Sequence, residues 1–258
     1  MPKARIRRWL LLAIMVGAFI ALISHVELWE VTLRFLFPQE TRVLHPRASL
    51  LILVWEHIQL VTISSGLTIL FGIPLGIWVT RPGGRNFLPI VTNLTSFGQT
   101  FPPVAVLALA VPMLGFGLLP TIVALFLYGL LPVVRNTIAG LRAVPQDALD
   151  AASGMGMSRT QILVRVEIPL AARVILAGVR ISVIINIGTA MVGAVIGAGG
   201  LGSPIIAGLV QDNLAYIIEG ALPAAILAIL ADQLLANIEG VFAYSASINF
   251  KGEETSSL

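Results

Sequence analysis

The sequence predicts an all-α polytopic membrane protein with about six membrane-spanning helices. Three observations carry that reading. The 258 residues are 57% hydrophobic and only 11% charged, whereas soluble domains carry about 25% charged residues. The apolar residues fall in runs long enough to cross lipid, not in one compact core. The basic residues gather in alternate connections between those runs. The formal net charge of +3 then reflects loop placement and gives no sign of a nucleic-acid partner. There is no cysteine, so disulfides and thiol chemistry are excluded. His25, His45 and His57 stand apart, without metal-ligand spacing, and no metal site is expected.

The first run, about Trp9 to Val26, follows Lys3, Arg5, Arg7 and Arg8. A basic start and an apolar middle also suit a signal peptide. No clear small-x-small cleavage site follows Ser24 and the run is long, so it is read as an uncleaved first span. Residues 27–56 are mixed and read as an outer connection. The second span covers about His57 to Thr80, with Gly72 and Gly76 four apart, a pair that allows close helix contact. Pro74 between them is expected to kink it. The third run, Phe87 to Leu114, is interrupted by Gln99, Thr100, Pro102 and Pro103. Backbone groups freed inside a membrane need protein or a water-filled cavity as partners. The break therefore fits a pathway lining as well as a kink packed on its neighbours. The fourth span covers about Pro120 to Val134. The fifth covers about Ala172 to Ile196, with Gly193 and Gly197 four apart, and the sixth about Tyr216 to Ile238. Residues 197–202, Gly-Ala-Gly-Gly-Leu-Gly, match a dinucleotide fingerprint only superficially. That motif needs a strand before it and a helix after it in a soluble unit, so the segment is read as a turn. The tail to Leu258 is expected to be disordered at its end.

With the amino terminus in the cytoplasm, the inner segments hold Lys3, Arg5, Arg7, Arg8, Arg81, Arg85, Arg135, Arg142, Arg159, Arg165 and Arg173. The outer ones hold Arg34, Arg42 and Arg47. That bias sets the orientation and places the carboxyl terminus inside as well. Two charges lie within spans. Arg180 and Asp232 fall about 12 and 9 Å from the inner ends of the fifth and sixth spans, at 1.5 Å per residue. They are expected either to pair, which relieves the cost of charge near hydrocarbon, or to snorkel separately to water.

Residues 147–169 are the longest polar-rich stretch. The first half reads as a short helix from Gln146 to Ser153, with Pro145 at its start. Gly154 and Gly156 can take the left-handed conformation that ends a helix. Ser158 and Gln161 have capping-box spacing, so a second helix starts there. Ile162, Leu163 and Val166 share a side. Pro169 disfavours helix at Ile168 and is expected to close the unit. By form alone the unit reads as an amphipathic loop on the membrane surface or as a docking element. A DNA-reading helix–turn–helix is discounted, because membrane spans flank it and it carries few basic residues.

The residues themselves resemble a family. Asp150-Ala151-Ala152, three residues, Gly156, nine residues, then Val166-Glu167-Ile168-Pro169 is similar to the EAA loop of ABC-importer permeases. That pattern is Glu-Ala-Ala, three residues, Gly, nine residues, Ile-x-Leu-Pro. The spacing matches throughout. Asp150, Val166 and Ile168 depart from the pattern, each conservatively in charge or volume. The segments 98–103 (Gly-Gln-Thr-Phe-Pro-Pro), 154–158 (Gly-Met-Gly-Met-Ser), 185–190 (Ile-Asn-Ile-Gly-Thr-Ala) and 199–202 (Gly-Gly-Leu-Gly) resemble permeases for osmoprotectants: glycine betaine, choline, carnitine and related compatible solutes. The likeness covers about 57–240.

The resemblance implies a type I ABC importer permease of the bacterial inner membrane. Residues 1–56 would be a first span and outer connection, 57–240 the permease core with coupling loop 147–169, and 241–258 a cytoplasmic tail. It implies that Asp150, Ala151, Ala152, Gly156, Val166, Ile168 and Pro169 couple the chain to a cytoplasmic ATPase, and that a second permease chain and an extracytoplasmic solute-binding protein complete the assembly. ATP and Mg would sit on the ATPase. No Walker A sequence occurs here, so this chain is not expected to bind ATP that way, and no binding domain follows the last span. Gln99, Thr100, Asn186 and Thr189 are the candidate pathway residues, and each also suits interhelical hydrogen bonding.

Rival functions fit less well. An ion-coupled secondary transporter would usually place ionisable residues at mid-membrane, where this chain has almost none. For a membrane enzyme, no nucleophile–base or carboxylate pair stands out. A permease for another small solute, such as an amino acid, shares the loop and remains the alternative. Recognition of a quaternary ammonium typically uses aromatic faces, yet the chain is 7% aromatic. Trp9, Trp29, Trp55 and Trp78 lie where interfacial anchors belong. No group of aromatics converges on the broken span or on Asn186. Tight recognition is therefore expected in the separate binding protein.

Overall fold

A computed structural model describes residues 2–46 and 48–254, with side chains over 5–46 and 48–241. Arg47 and residues 255–258 of the tail lie outside the described residues. The regular elements of the described chain are all helical: α1 Pro2–Ser24, α2 Val26–Leu36, α3 Leu50–Thr80, α4 Leu88–Thr100, α5 Pro103–Leu114, α6 Leu118–Arg142, α7 Gln146–Gly154, α8 Arg159–Ile162, α9 Ile168–Ala190, α10 Gly202–Gln211 and α11 Leu214–Glu254. Five stretches are long and apolar enough to cross a membrane, and the bent pair of α4 and α5 makes a sixth.

The centre of the bundle is α3, α6 and α9, with α11 against α9. Glycines let these backbones approach. A Cβ at Gly72 would lie 2.9 Å from Val133 Cγ1, and one at Gly76 would lie 2.7 Å from Thr137 Cβ. The Gly72/Gly76 pair thus forms the α3–α6 seam, with Pro74 inside an unbroken helix. The fifth-span pair behaves differently. Gly193 sits against Thr121, but Gly197 takes φ +80. It ends a tight 3-10 turn over Met191–Ile196 and makes no close contact. Helix α3 begins seven residues earlier than expected, at Leu50 rather than at His57, because Leu50, Leu53 and Val54 are already buried against α1, α2 and α11.

Helices α4 and α5 meet at 98°. Pro102 and Pro103 lack N–H groups, and a residue before proline is pushed out of the helical region. Phe101 accordingly has ψ 135, and α5 restarts with Pro103 in its first turn. The pair still crosses the bundle. It leaves from the end where Arg81 meets Glu167 and arrives near Gly197, 3.8 Å from a Cβ placed on Gly117.

At that arrival end, α1, α2 and the 40–46 segment pack on α3 and α11. Trp29 is buried there and donates Nε1–H to Leu22 O at 2.9 Å. It is a packing residue, which corrects its reading as an interfacial anchor: α2 folds back on α1 and covers it. Trp55 and Trp78 are exposed on α3. Helix α11 continues to Glu254, so most of the segment 241–258 extends the last helix.

Candidate functional site

The stretch 146–169 folds into three connected parts. Helix α7 starts after Pro145 and ends in a Schellman cap. Met157 N–H donates to Ala152 O at 3.2 Å and Gly156 N–H to Ser153 O at 2.9 Å. Gly156 supplies the required left-handed residue, at φ +77, while Gly154 stays in the helix. Ser158 then caps α8 with a complete capping box: Gln161 N–H donates to Ser158 Oγ, and Ser158 N–H donates to Gln161 Oε1.

The expected closure at Pro169 does not occur. Ile168 is helical, with φ −60 and ψ −47, and Pro169 lies in the first turn of α9. Residues Leu163–Glu167 form a π turn between α8 and α9. A proline ring clashes with the carbonyl four residues earlier, here Arg165, and removes its hydrogen bond. A turn widened by one residue gives that carbonyl room, so the helix passes through the proline.

These parts present a small surface. Asp150, Ala151 and Gly156 are exposed, and Gln146 Nε2 donates to Asp150 Oδ1 at 2.9 Å. Met155 and Val164 are exposed apolar residues. Ala152 is buried, Val166 and Ile168 are half-buried, and Pro169 is exposed. Leu149 and Leu163 pack on a cluster of Leu141, Val144, Ala171 and Ile175, joined by Ile73 and Ile77 of α3. The exposed tip is therefore seated on the ends of α3, α6 and α9.

Two ion pairs brace the same region. Arg180 grips Asp232 with both arms, Nε–Oδ1 at 2.6 Å and Nη2–Oδ2 at 2.7 Å. Glu239 lies 3.7 Å from Arg180 Nη1 and 3.5 Å from Arg173 Nε, which extends the pair into a four-residue chain along α9 and α11. Arg81 meets Glu167 at 3.0 and 2.8 Å. The sequence reading missed this second pair. Glu167 stood inside the motif, but its partner is 86 residues away and no spacing rule connects them.

The four candidate pathway residues are not brought together. Asn186 is fully buried and donates Nδ2–H to Ser65 Oγ at 3.0 Å, among Ser64, Thr68 and Ser182. A Cβ at Gly129 of α6 would fall 2.5 Å from Ser182 Oγ and 3.1 Å from Asn186 Nδ2, so that glycine makes space for the cluster. Gln99 donates to Tyr128 O of α6 at 2.7 Å, next to the break. Thr100 is exposed and donates to Phe97 O of its own helix. Thr189 is half-buried. Phe97 and Phe101 meet edge to face at the break, centroids 5.0 Å apart. This corrects the expectation that no aromatics gather there: i, i+4 spacing on the last turn of α4 brings two rings together.

At the other end of α3, Glu56 accepts from Gly200 N–H at 2.8 Å, and His57 Nε2 lies 3.0 Å from Ile187 O. A Cβ on Gly199 would meet Glu56 Oε2 at 2.4 Å. The glycine turn at 197–202 thus wraps a carboxylate of this chain.

A lipid-crossing bundle with a capped, exposed helix pair seated on the ends of its central helices is the architecture of an ABC importer's membrane subunit. The chain belongs to the family described as binding-protein-dependent transport system inner membrane component, matched over residues 72–241, and is a multi-pass transport permease subunit. It is 44% identical over 190 residues to the osmoprotectant import permease protein OsmY of Salmonella typhimurium, covering 74% of this chain and 80% of that one. It is 44% identical over 192 residues to the choline transport system permease protein OpuBB of Bacillus subtilis, covering 74% and 87%. A carnitine transport permease protein, OpuCB of Listeria monocytogenes, is 41% identical over 192 residues, with the same coverage. Among solved structures, the inward-facing MetNI methionine ABC transporter superposes with TM-score 0.66 at 24% identity, over 75% of this chain and 95% of that one, and so shares the fold.

Proposed function

We propose that this chain is the membrane-spanning subunit of a bacterial importer for quaternary-ammonium compatible solutes such as glycine betaine, choline or carnitine. Transport is driven by ATP hydrolysed, with Mg, on a separate ATPase. The observation that carries the reading is the relationship to osmoprotectant, choline and carnitine permeases at 41–44% identity. The tip formed by Asp150, Ala151, Met155 and Gly156 docks on the ATPase at the cytoplasmic face, where the arginine-rich connections place it. Both termini are cytoplasmic. A second permease chain and an extracytoplasmic binding protein complete the assembly. An amino acid is the second reading of the solute, because permeases for other small solutes share the 147–169 loop pattern.

Docking requires small residues at the tip and the left-handed residue at its turn. Gly156→Leu forces a side chain into a conformation disfavoured by about 1–2 kcal/mol, with open space around it, so the turn shifts while the spans stay inserted. Ala151→Asp adds a charge at the exposed contact. Either variant is expected to keep ATP hydrolysis in the assembled complex and to lower solute uptake at least tenfold. Normal uptake by membranes carrying either variant defeats the docking assignment.

Solute selection resides in the binding protein. Phe97 and Phe101 give two rings at the break, short of the enclosing faces that tight cation recognition uses, and the groove beside them is lined by Leu75, Leu94, Val106 and Leu127. Titrating labelled glycine betaine, choline and carnitine into purified permease–ATPase complex without binding protein is expected to show no micromolar binding. Micromolar binding that disappears when Phe97 or Phe101 is changed to alanine moves selectivity into this chain.

A further inference from the structure

The coupling stretch is continuous with α9 through the π turn, but α3 joins it only by contact. The apolar part of that contact is Ile73 and Ile77 against Leu163, Leu170 and Ala171, a surface that allows small slides. The directional part is Arg81 with Glu167. Arg81 caps α3, its N–H bonded to Trp78 O at 3.0 Å, and its guanidinium faces the carboxylate of Glu167 with two N···O contacts of 3.0 and 2.8 Å. The Glu167 side chain is 9% exposed and that of Arg81 33%. Arg85 and Arg142 line the same 270 Å³ cavity, and among its described lining residues Glu167 is the one carboxylate beside three arginines. One of the two contacts is a charge-assisted hydrogen bond, Nη1–H to Oε1 at 3.0 Å, and the other, Nη2–Oε2 at 2.8 Å, is an ionic contact without hydrogen-bond geometry; together they tie the end of α3 to the π turn at a fixed distance. Glu167 also sits on the last residue of the π turn, where its placement depends on the widened geometry that Pro169 requires.

We infer that Arg81 and Glu167 are positioning residues that make α3 follow the coupling stretch, so that movement imposed by the ATPase reaches two central helices and not α9 alone. This rests on the docking assignment above. It also links the tip to the polar cluster, because Ser64, Ser65 and Thr68, which surround Asn186, lie on α3.

The test uses the complete complex of permease, ATPase and binding protein in vesicles. Arg81→Gln and Glu167→Gln are each expected to assemble in normal amount, to lose the stimulation of ATP hydrolysis by loaded binding protein, and to lower uptake at least tenfold. The exchange Arg81→Glu with Glu167→Arg is expected to recover at least half of both signals. Because the chain has no cysteine, Arg81→Cys with Glu167→Cys can be bridged by a bifunctional thiol reagent of similar reach. The unbridged pair is expected to be uncoupled, and bridging is expected to restore uptake. Single variants that keep stimulated hydrolysis and uptake overturn the inference, as does bridging without recovery. A loss of assembly in the single variants, together with a bridged double-cysteine variant that assembles without regaining stimulation, shows a purely structural brace and overturns it too. If Gly156→Leu also transports normally, the docking assignment fails; if Gly156→Leu uncouples while the Arg81 and Glu167 variants do not, only the present inference fails.

Discussion

Gly178→Leu is expected to yield almost no folded protein. Gly178 lies on α9 where it crosses α6. A Cβ there would be 2.4 Å from Asn136 Cβ and 2.7 Å from Pro132 O, and the second of these is backbone that cannot rotate away. In lipid, helices associate through close packing and interhelical hydrogen bonds, with no hydrophobic drive to hold a poor fit together. Overpacking a core costs about 1–3 kcal/mol when side chains can shift. Here a whole helix must shift, and the α6–α9 contact is one of the two most extensive in the bundle. Gly178→Ala meets the same atoms with one carbon and is expected to be destabilised but recoverable. Fluorescence-detected size exclusion in mild detergent, with a thermal melt of any monodisperse fraction, reads both. A Gly178→Leu melt within two degrees of the parent would refute the close contact.

Reversing one charge of the Arg180–Asp232 pair ranks second. The side chains are 31% and 27% exposed, so protein encloses the pair only in part. Breaking a buried pair costs about 3–5 kcal/mol, and the low end applies here. Arg180→Asp is the more damaging reversal, because it sets a new carboxylate beside both Asp232 and Glu239. Asp232→Arg leaves Glu239 available to one guanidinium. The prediction is a loss of about 3 kcal/mol for Arg180→Asp, less for Asp232→Arg, and recovery of most of the melting temperature when both are exchanged. Equal melts for the single and double exchanges would mean that each group reaches water independently.

Much of this fold was legible in the sequence, for physical reasons that differ by element. The spans stand out because lipid requires long apolar runs, and the broken third span because Pro102 and Pro103 cannot continue a helix. The capping box at Ser158 is local chemistry and was placed to the residue, whereas the left-handed turn was narrowed only to Gly154 or Gly156, of which Gly156 takes it. Pro169 was misread, since the rule for the residue before proline describes an isolated turn and not one widened by a π segment. Trp29 was misplaced because burial by a neighbouring helix leaves no trace in local sequence. The Arg180–Asp232 pairing was weighed against snorkelling on depth alone; Arg81 and Glu167 belong to connections where depth says nothing. Asn186 and Gln99 were singled out for polarity, but polarity does not reveal that one faces a serine cluster and the other a carbonyl of α6.

The packing of α1 carries a consequence for how the chain is made. Its buried residues, Leu12, Phe19 and Ile23, share a cluster with Ala224 and Leu230 of α11. Helix α1 is synthesised before α11, so with α3 as its earlier partner its α11-facing residues wait in the bilayer until α11 arrives. It is suited to that wait: only 17% of its apolar window is buried in the finished fold, and a mostly apolar helix in lipid has little need of a partner. Completion of this cluster then depends on the arrival of α11 and not on insertion of α1 alone.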